Sequence, residues 1–124
     1  EEDRWEFKAK MEKKMSYFGA VNFQNKIYAS AIGTQVYNPQ KNRWKIMPNT
    51  NECNRGKSLV VFKGKLVAIG GAARISLSNT SSTVQYYDSE DRAWKTAKDI
   101  NIPRCFHATA VINSKCFCSQ SFNL

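Results

Sequence analysis

Short apolar runs broken by polar pairs recur along the chain. Leu59–Phe62 and Leu66–Ile69 flank a Lys63-Gly64 pair, and the second run ends in Gly70-Gly71. The same shape stands at Phe18–Phe23, Gln24-Asn25 and Lys26–Gly33, and it starts again at His107–Ile112, Asn113-Ser114 and Lys115–Phe117. Short β-branched and aromatic runs around a two-residue polar turn predict three β-hairpins.

A second pattern follows two of the hairpins. Val36–Trp44 aligns with Tyr86–Trp94: Tyr37 and Tyr87 each stand seven residues before a tryptophan, across the polar turns Asn38-Pro39 and Asp88-Ser89. Trp44 and Trp94 are 50 residues apart. Hairpin, Tyr strand and Trp strand thus occur twice in full, four short strands to a unit of about 50 residues. Ahead of them Trp5, Phe7, Ala9 and Met11 alternate at period two, which predicts an outer strand over 4–11 with a charged connection from Lys8 to Lys14. Phe7, Met11, Met15 and Phe18 also trace a helical stripe, and the repeat context favours the strand.

With 124 residues the chain has the length of one ordinary domain, and no run of about 18 apolar residues predicts a membrane-spanning helix. It opens Glu1-Glu2-Asp3, with no methionine and no signal-like stretch, so it is expected to be part of something longer or a processed product. The net charge of +9 is spread evenly, +4 over residues 1–50 and +5 over 51–124. Nucleic-acid binders concentrate their charge on one element, so this distribution reads as a solvated surface favouring acidic partners, with no nucleic acid and no membrane. Cys53, Cys105, Cys116 and Cys118 are expected to be reduced thiols in the cytoplasm, or alternatively the nucleus. Cys105-x-His107 and Cys116-x-Cys118 invite a zinc reading, but structural zinc sites prefer two to four residues inside a cysteine pair. Packing of each pair on one strand face is the expectation.

On Gly70-Gly71, Tyr87 and Trp94 in one unit, and Tyr37 and Trp44 in another, the chain resembles kelch-repeat β-propellers, most closely the kelch region of BTB-kelch proteins. The likeness runs from about Trp5 to Phe117. It implies an all-β fold, a partial kelch propeller of four-stranded antiparallel blades. Residues 1–14 would be the outer strand of a preceding blade. Residues 15–50 would be a repeat whose double glycine is replaced by Ile32-Gly33, 51–100 a full repeat, and 101–124 the start of a truncated one. Closed propellers have about four to eight blades, so two and a half units are expected to be a fragment with exposed strand edges. Gly70, Gly71, Tyr37, Trp44, Tyr87 and Trp94 read as structural, the glycines for a sharp turn and the aromatics for blade packing.

Catalytic chemistry has little to stand on. His107 is the single histidine, and no phosphate-binding, nucleophile-elbow or His-Glu-x-x-His motif occurs. The copper site of galactose-oxidase relatives needs several histidines. The reading is a binding module, not an enzyme, with no cofactor and no metal. In resembling adaptors the loops after the double glycine and after the Trp strands form the binding face. By position these are 72–82, with Arg74, Ser76, Ser78, Asn79, Thr80 and Ser81, and also 49–55 and 99–104. Arg55, Arg74 and Arg104 would suit a protein partner or acidic peptide, since arginine bonds carboxylates bidentately. The resemblance implies substrate recognition for a cullin–RING ubiquitin ligase engaged through a BTB region outside this sequence. The alternatives are a kelch scaffold that binds actin and a truncated fragment without function.

Overall fold

The computed structural model describes residues 3–51, 55–73 and 79–120, with backbone only at 118–120. Ten strands lie among them: β1 Gly19–Phe23, β2 Lys26–Ser30, β3 Thr34–Asn38, β4 Arg43–Met47, β5 Ser58–Phe62, β6 Lys65–Ile69, β7 Val84–Asp88, β8 Ala93–Thr96, β9 His107–Ile112 and β10 Lys115–Gln120. They form two four-stranded sheets, β1-β2-β3-β4 and β5-β6-β7-β8, and the hairpin β9–β10. Every pairing is antiparallel between sequence neighbours. No α-helix occurs among the described residues, and no helix there is long and apolar enough to cross a membrane. β5 packs beside β1 on one side and β9 on the other, so the first strands of the three units stand together at the centre.

Local chemistry accounts for the hairpins. Gln24 and Asn25 have φ of 51° and 57°, Lys63 and Gly64 50° and 70°, and Asn113 and Ser114 49° and 59°. Two successive left-handed residues match the twist of the flanking strands, which is why polar pairs and glycine sit there. The Tyr and Trp strands close with a longer turn. There Asp88 Oδ1 accepts the amides of Glu90 and Asp91 at 3.0 and 3.2 Å, and Lys95 donates to Oδ2 at 2.8 Å. The Lys95 ammonium and these amides hold the Asp88 carboxyl down to about 2.

The repeated aromatics face each other across this turn. Tyr37 pairs with Trp44 and Tyr87 with Trp94, ring centroids 5.2 and 5.6 Å apart. Trp94 is buried with Leu59, Leu66 and Ala68, and Val21 and Tyr28 of the first sheet pack on that cluster. This cluster lies between the first two sheets, and a second, of Val60, Val67 and Ile69, lies on the other face of β5 and β6. The Trp94 indole donates to Pro48 O at 2.9 Å, and the Trp44 indole to Ala9 O at 3.0 Å. Ala9 stands four residues after Trp5 as Pro48 does after Trp44, so the same contact recurs one unit earlier.

Two details differ from the sequence reading. Residues 4–11 form no strand: Trp5 and Phe7 are fully exposed, and the segment runs on over the first sheet as a strap. Its amides find side chains instead of a ladder. Ala9 N donates to Asn42 Oδ1 at 2.9 Å, and Gln35 clamps Lys13 by accepting its N–H (3.1 Å) and donating to its carbonyl (2.8 Å). The second difference concerns the glycines. Counted from the hairpin turns, Gly70-Gly71 corresponds to Ala31-Ile32, one residue before the Ile32-Gly33 expected. The β6–β7 connection is eleven residues longer than β2–β3. In the short connection Ala31 N bonds back to Gly33 O at 2.9 Å, with φ negative at Ala31 and Ile32, so no glycine is required there.

Gly70 has a specific reason. Its φ is +64°, and a Cβ there would lie 2.3 Å from Arg104 O. At Gly64, with φ +70°, a Cβ would meet nothing within 4 Å. Gly64→Ala should therefore cost about 1–2 kcal/mol, the left-handed penalty alone. Gly70→Ala should cost on the order of 4 kcal/mol, because the connection carrying Arg104 must also move. Urea unfolding of the two variants checks this; equal losses would contradict it.

Candidate functional site

In an up-and-down sheet the second-to-third connection and the connection to the next sheet emerge at the same end. Of the described residues, that end gathers 13–18, 31–33, 48–51, 55–57, 70–73, 79–83 and 97–106. Three equivalent residues there, Tyr17, Gly56 and Phe106, each stand just before an inner hairpin, with φ of 54°, 65° and 53°. Gly56 N–H donates to Tyr17 O at 2.8 Å, and Phe106 N–H donates to Gly56 O at 2.7 Å. The Tyr17 and Phe106 rings meet edge to face at 5.4 Å. A Cβ on Gly56 would press on the Phe106 ring at 2.9 Å, which explains why this position is glycine.

Main-chain bonds draw the predicted recognition residues together. Arg55 N donates to Ala72 O (3.0 Å) and Ala72 N to Arg55 O (2.8 Å), and Ala72 also bridges to Thr80. Ser81 N donates to Gly71 O (2.7 Å), Gly71 N to Arg104 O (2.7 Å) and Arg104 N to Ser81 O (3.0 Å). The connections bearing Arg55, Asn79 and Arg104 are thus stitched into one surface, Asn79 exposed and both arginines half-buried. Arg74, Ser76 and Ser78 lie outside the described residues. The acidic Asp99 belongs to the same end, accepting from Ser82 Oγ at 3.0 Å.

Sequence reasoning missed the groove next to Arg55. A cavity of about 240 Å³ is lined by Lys13, Lys14, Ile32, Gln35, Asn49 and Arg55. The Lys13-Lys14 pair was visible as charge in a connection; what the sequence did not show is that Gln35 clamps the strap across the sheet and so places both lysines at the loop end.

The cysteines divide. Cys105 is buried, and burial pushes its thiol up; Cys116 is exposed, so its own side chain is not packed as expected. Cys53 and the side chain of Cys118 lie outside the described residues. Among the described residues no three His, Cys, Asp or Glu side chains come together as a metal site. His107 is 8% exposed, and its ring rests on Gly70, with Cε1 3.0 Å from where a Cβ would stand. Neither ring nitrogen has a hydrogen-bond partner. Burial, then the Arg104 charge, pushes its pKa below the usual value.

Comparison with known proteins agrees with this architecture. The family described as Kelch motif matches residues 53–101. Kelch-like protein 21 of Homo sapiens is 36% identical over 91 residues, covering 71% of this chain and 14% of that protein. Kelch-like protein 21 of Bos taurus is 39% identical over 80 residues, 62% of this chain and 13% of that protein. Alpha-scruin of Limulus polyphemus is 29% identical over 117 residues, 82% of this chain and 12% of that protein. The chain therefore spans only about one-seventh or less of these relatives' length. A solved structure titled "Structure of YjhT" superposes with a TM-score of 0.77 at 13% identity, covering 89% of this chain and 35% of that one, a likeness of fold alone.

The His107 environment has a measurable consequence. Its folded-state pKa lies below the ordinary 6.5, so the unfolded chain takes up the proton first. Stability is complete above about pH 6.5 and falls as pH drops below it toward the folded value. Urea midpoints should decline between pH 7.5 and 5.5 in the native chain and stay flat in His107→Gln. An equal decline in both would refute the assignment.

Proposed function

Because this chain carries kelch repeats and is similar to the kelch-like proteins, we propose that its loop end is a protein-recognition surface for an acidic segment of a partner. The observation that carries this reading is the convergence of Lys13, Lys14, Arg55 and Arg104 on connections tied by main-chain bonds to one end of the sheets. Loops on a rigid frame present side chains with little ordering cost on binding, and arginine and lysine favour carboxylates. The groove of about 240 Å³ mixes the ammonium groups with Ile32 and Met15, which suits a peptide with an apolar residue beside its acidic ones. Binding, not catalysis, is the activity we assign. The resemblance to BTB-kelch proteins extends the proposal to the whole protein: a cytoplasmic adaptor that delivers the bound partner to a cullin–RING ubiquitin ligase.

The binding claim is tested by fluorescence anisotropy with a labelled twelve-residue peptide rich in Asp and Glu. A charge-assisted hydrogen bond is worth roughly 1.5–3 kcal/mol. Arg55→Glu with Arg104→Glu should therefore weaken binding at least tenfold, and raising salt from 50 to 300 mM should weaken it further. Unchanged affinity in the double variant would refute the reading. For the adaptor role, the full-length protein should co-precipitate a cullin; co-sedimentation with actin filaments without a cullin would favour the cytoskeletal alternative.

A further inference from the structure

Trp94 is clustered with Leu66, Tyr28 of the preceding sheet packs on that cluster, and the indole bonds to Pro48 O, four residues past Trp44. Moved on by one unit, counting from the hairpin turns and from the tryptophan, Tyr28 becomes Val67, Leu66 becomes Cys116 and Pro48 becomes Lys98. All three line one cavity of about 430 Å³ on the opposite face of the second sheet, together with Phe62, Val84 and Tyr86. The surroundings of a unit's tryptophan are thus built once more. The chain has three tryptophans, and the one outside such a contact is Trp5, fully exposed with Phe7. Arg4-Trp5-Glu6-Phe7 matches Arg43-Trp44-Lys45-Ile46 in its arginine, its tryptophan and an apolar residue two places on.

Trp5 does not reach the cavity of its own copy. Ile27, Tyr37 and Trp44 are cross-strand partners and share one face of the first sheet, while Tyr28 is on the other, toward the second sheet. Trp44 holds the Trp5 segment at Ala9, so both sheets stand between that segment and the cavity. Charge also matches the two. Lys63 and Lys65 lie over the Phe62 and Tyr86 rings, 5.4 and 4.5 Å from their centroids, and with Lys98 make a basic rim. Residues 1–5 carry three carboxylates to one guanidinium.

We propose that copies of this chain associate head to tail, the Trp5–Phe7 segment of one seated in the Val67–Cys116–Lys98 cavity of the next. The seated indole donates to Lys98 O, as Trp44 and Trp94 donate to Ala9 O and Pro48 O. Burying two exposed aromatic rings supplies the attraction, and the carboxylates beside them meet the lysine rim. The two surfaces differ, so the contact is heterologous and either closes a ring of copies or grows. It is independent of the loop-end reading.

Sedimentation velocity of the 124-residue chain at rising concentration, from about 2 to 200 μM, tests this. The expected result is a sedimentation coefficient that climbs with concentration, while tryptophan emission moves to the blue as Trp5 leaves water. Trp5→Ala removes a ring that is fully exposed in its own copy, so circular dichroism should be unchanged and association at least tenfold weaker. Lys63→Glu with Lys98→Glu should weaken it by a similar factor. Oxidised with copper phenanthroline, Trp5→Cys should link to Cys116 of another copy, and Cys116→Ser should abolish that product. A chain that stays monomeric throughout, or that associates equally well as Trp5→Ala, would overturn the proposal. If Trp5→Ala blocks association while the lysine reversals do not and no Cys116 link forms, the seat assigned to Trp5 is wrong.

Discussion

Phe106 donates its amide to Gly56, and Gly56 donates its amide to Tyr17. These two hydrogen bonds, between residues in the same place of successive units, set how the inner strands meet. Each requires its residue to turn into the left-handed region before the strand begins. That conformation is uncommon for bulky residues, so Tyr17 and Phe106 hold it because the surrounding bonds leave no alternative. At Gly56 the Phe106 ring lies against the backbone and leaves no room for a Cβ. From this stair the connections fan outward, and their other bonds, Arg55 to Ala72 and Gly71 to Arg104, follow from where it places them.

A second repeated constraint ties the sheets at their outer side. Gln35 and Gln85 both accept an amide from the segment that leads into their sheet, Lys13 in one case and Asn51 in the other. Trp44 and Trp94 both donate their indoles to that same segment. Each sheet thus grips the chain that precedes it, and cohesion passes along the sequence from unit to unit, as in other repeat architectures. These grips lie outside the β2–β3 and β6–β7 connections, which leaves those connections free to differ. The eleven extra residues of β6–β7 are inserted at the loop end, without disturbing the register of β6 against β7.

Much of this was legible beforehand. The hairpins were, because a two-residue turn needs particular residues and Gln24-Asn25, Lys63-Gly64 and Asn113-Ser114 supply them. The Tyr–Trp pairing was also legible, because a seven-residue spacing across a turn makes the two rings neighbours. What escaped was non-local. Residues 4–11 alternate like a strand, yet a strand exists only where a neighbour offers its backbone, and here Asn42 and Gln35 offered side chains. The Ile32-Gly33 alignment counted from a glycine and not from a strand end. The left-handed turns at Tyr17 and Phe106 oppose local preference, so no local rule finds them. Of the recognition residues, Arg55, Asn79 and Arg104 could be placed at one end by family likeness. The Lys13-Lys14 groove needed the strap's path.

The claim on which the rest depends is the bonding of Tyr17, Gly56 and Phe106, and amide hydrogen exchange reads it directly. The Gly56 and Phe106 amides, though in connections between strands, should exchange as slowly as those of β5 and β6, because opening them requires the units to part. Exchange at the rate of an open loop would contradict the account, and the surface built on those connections would lose its frame.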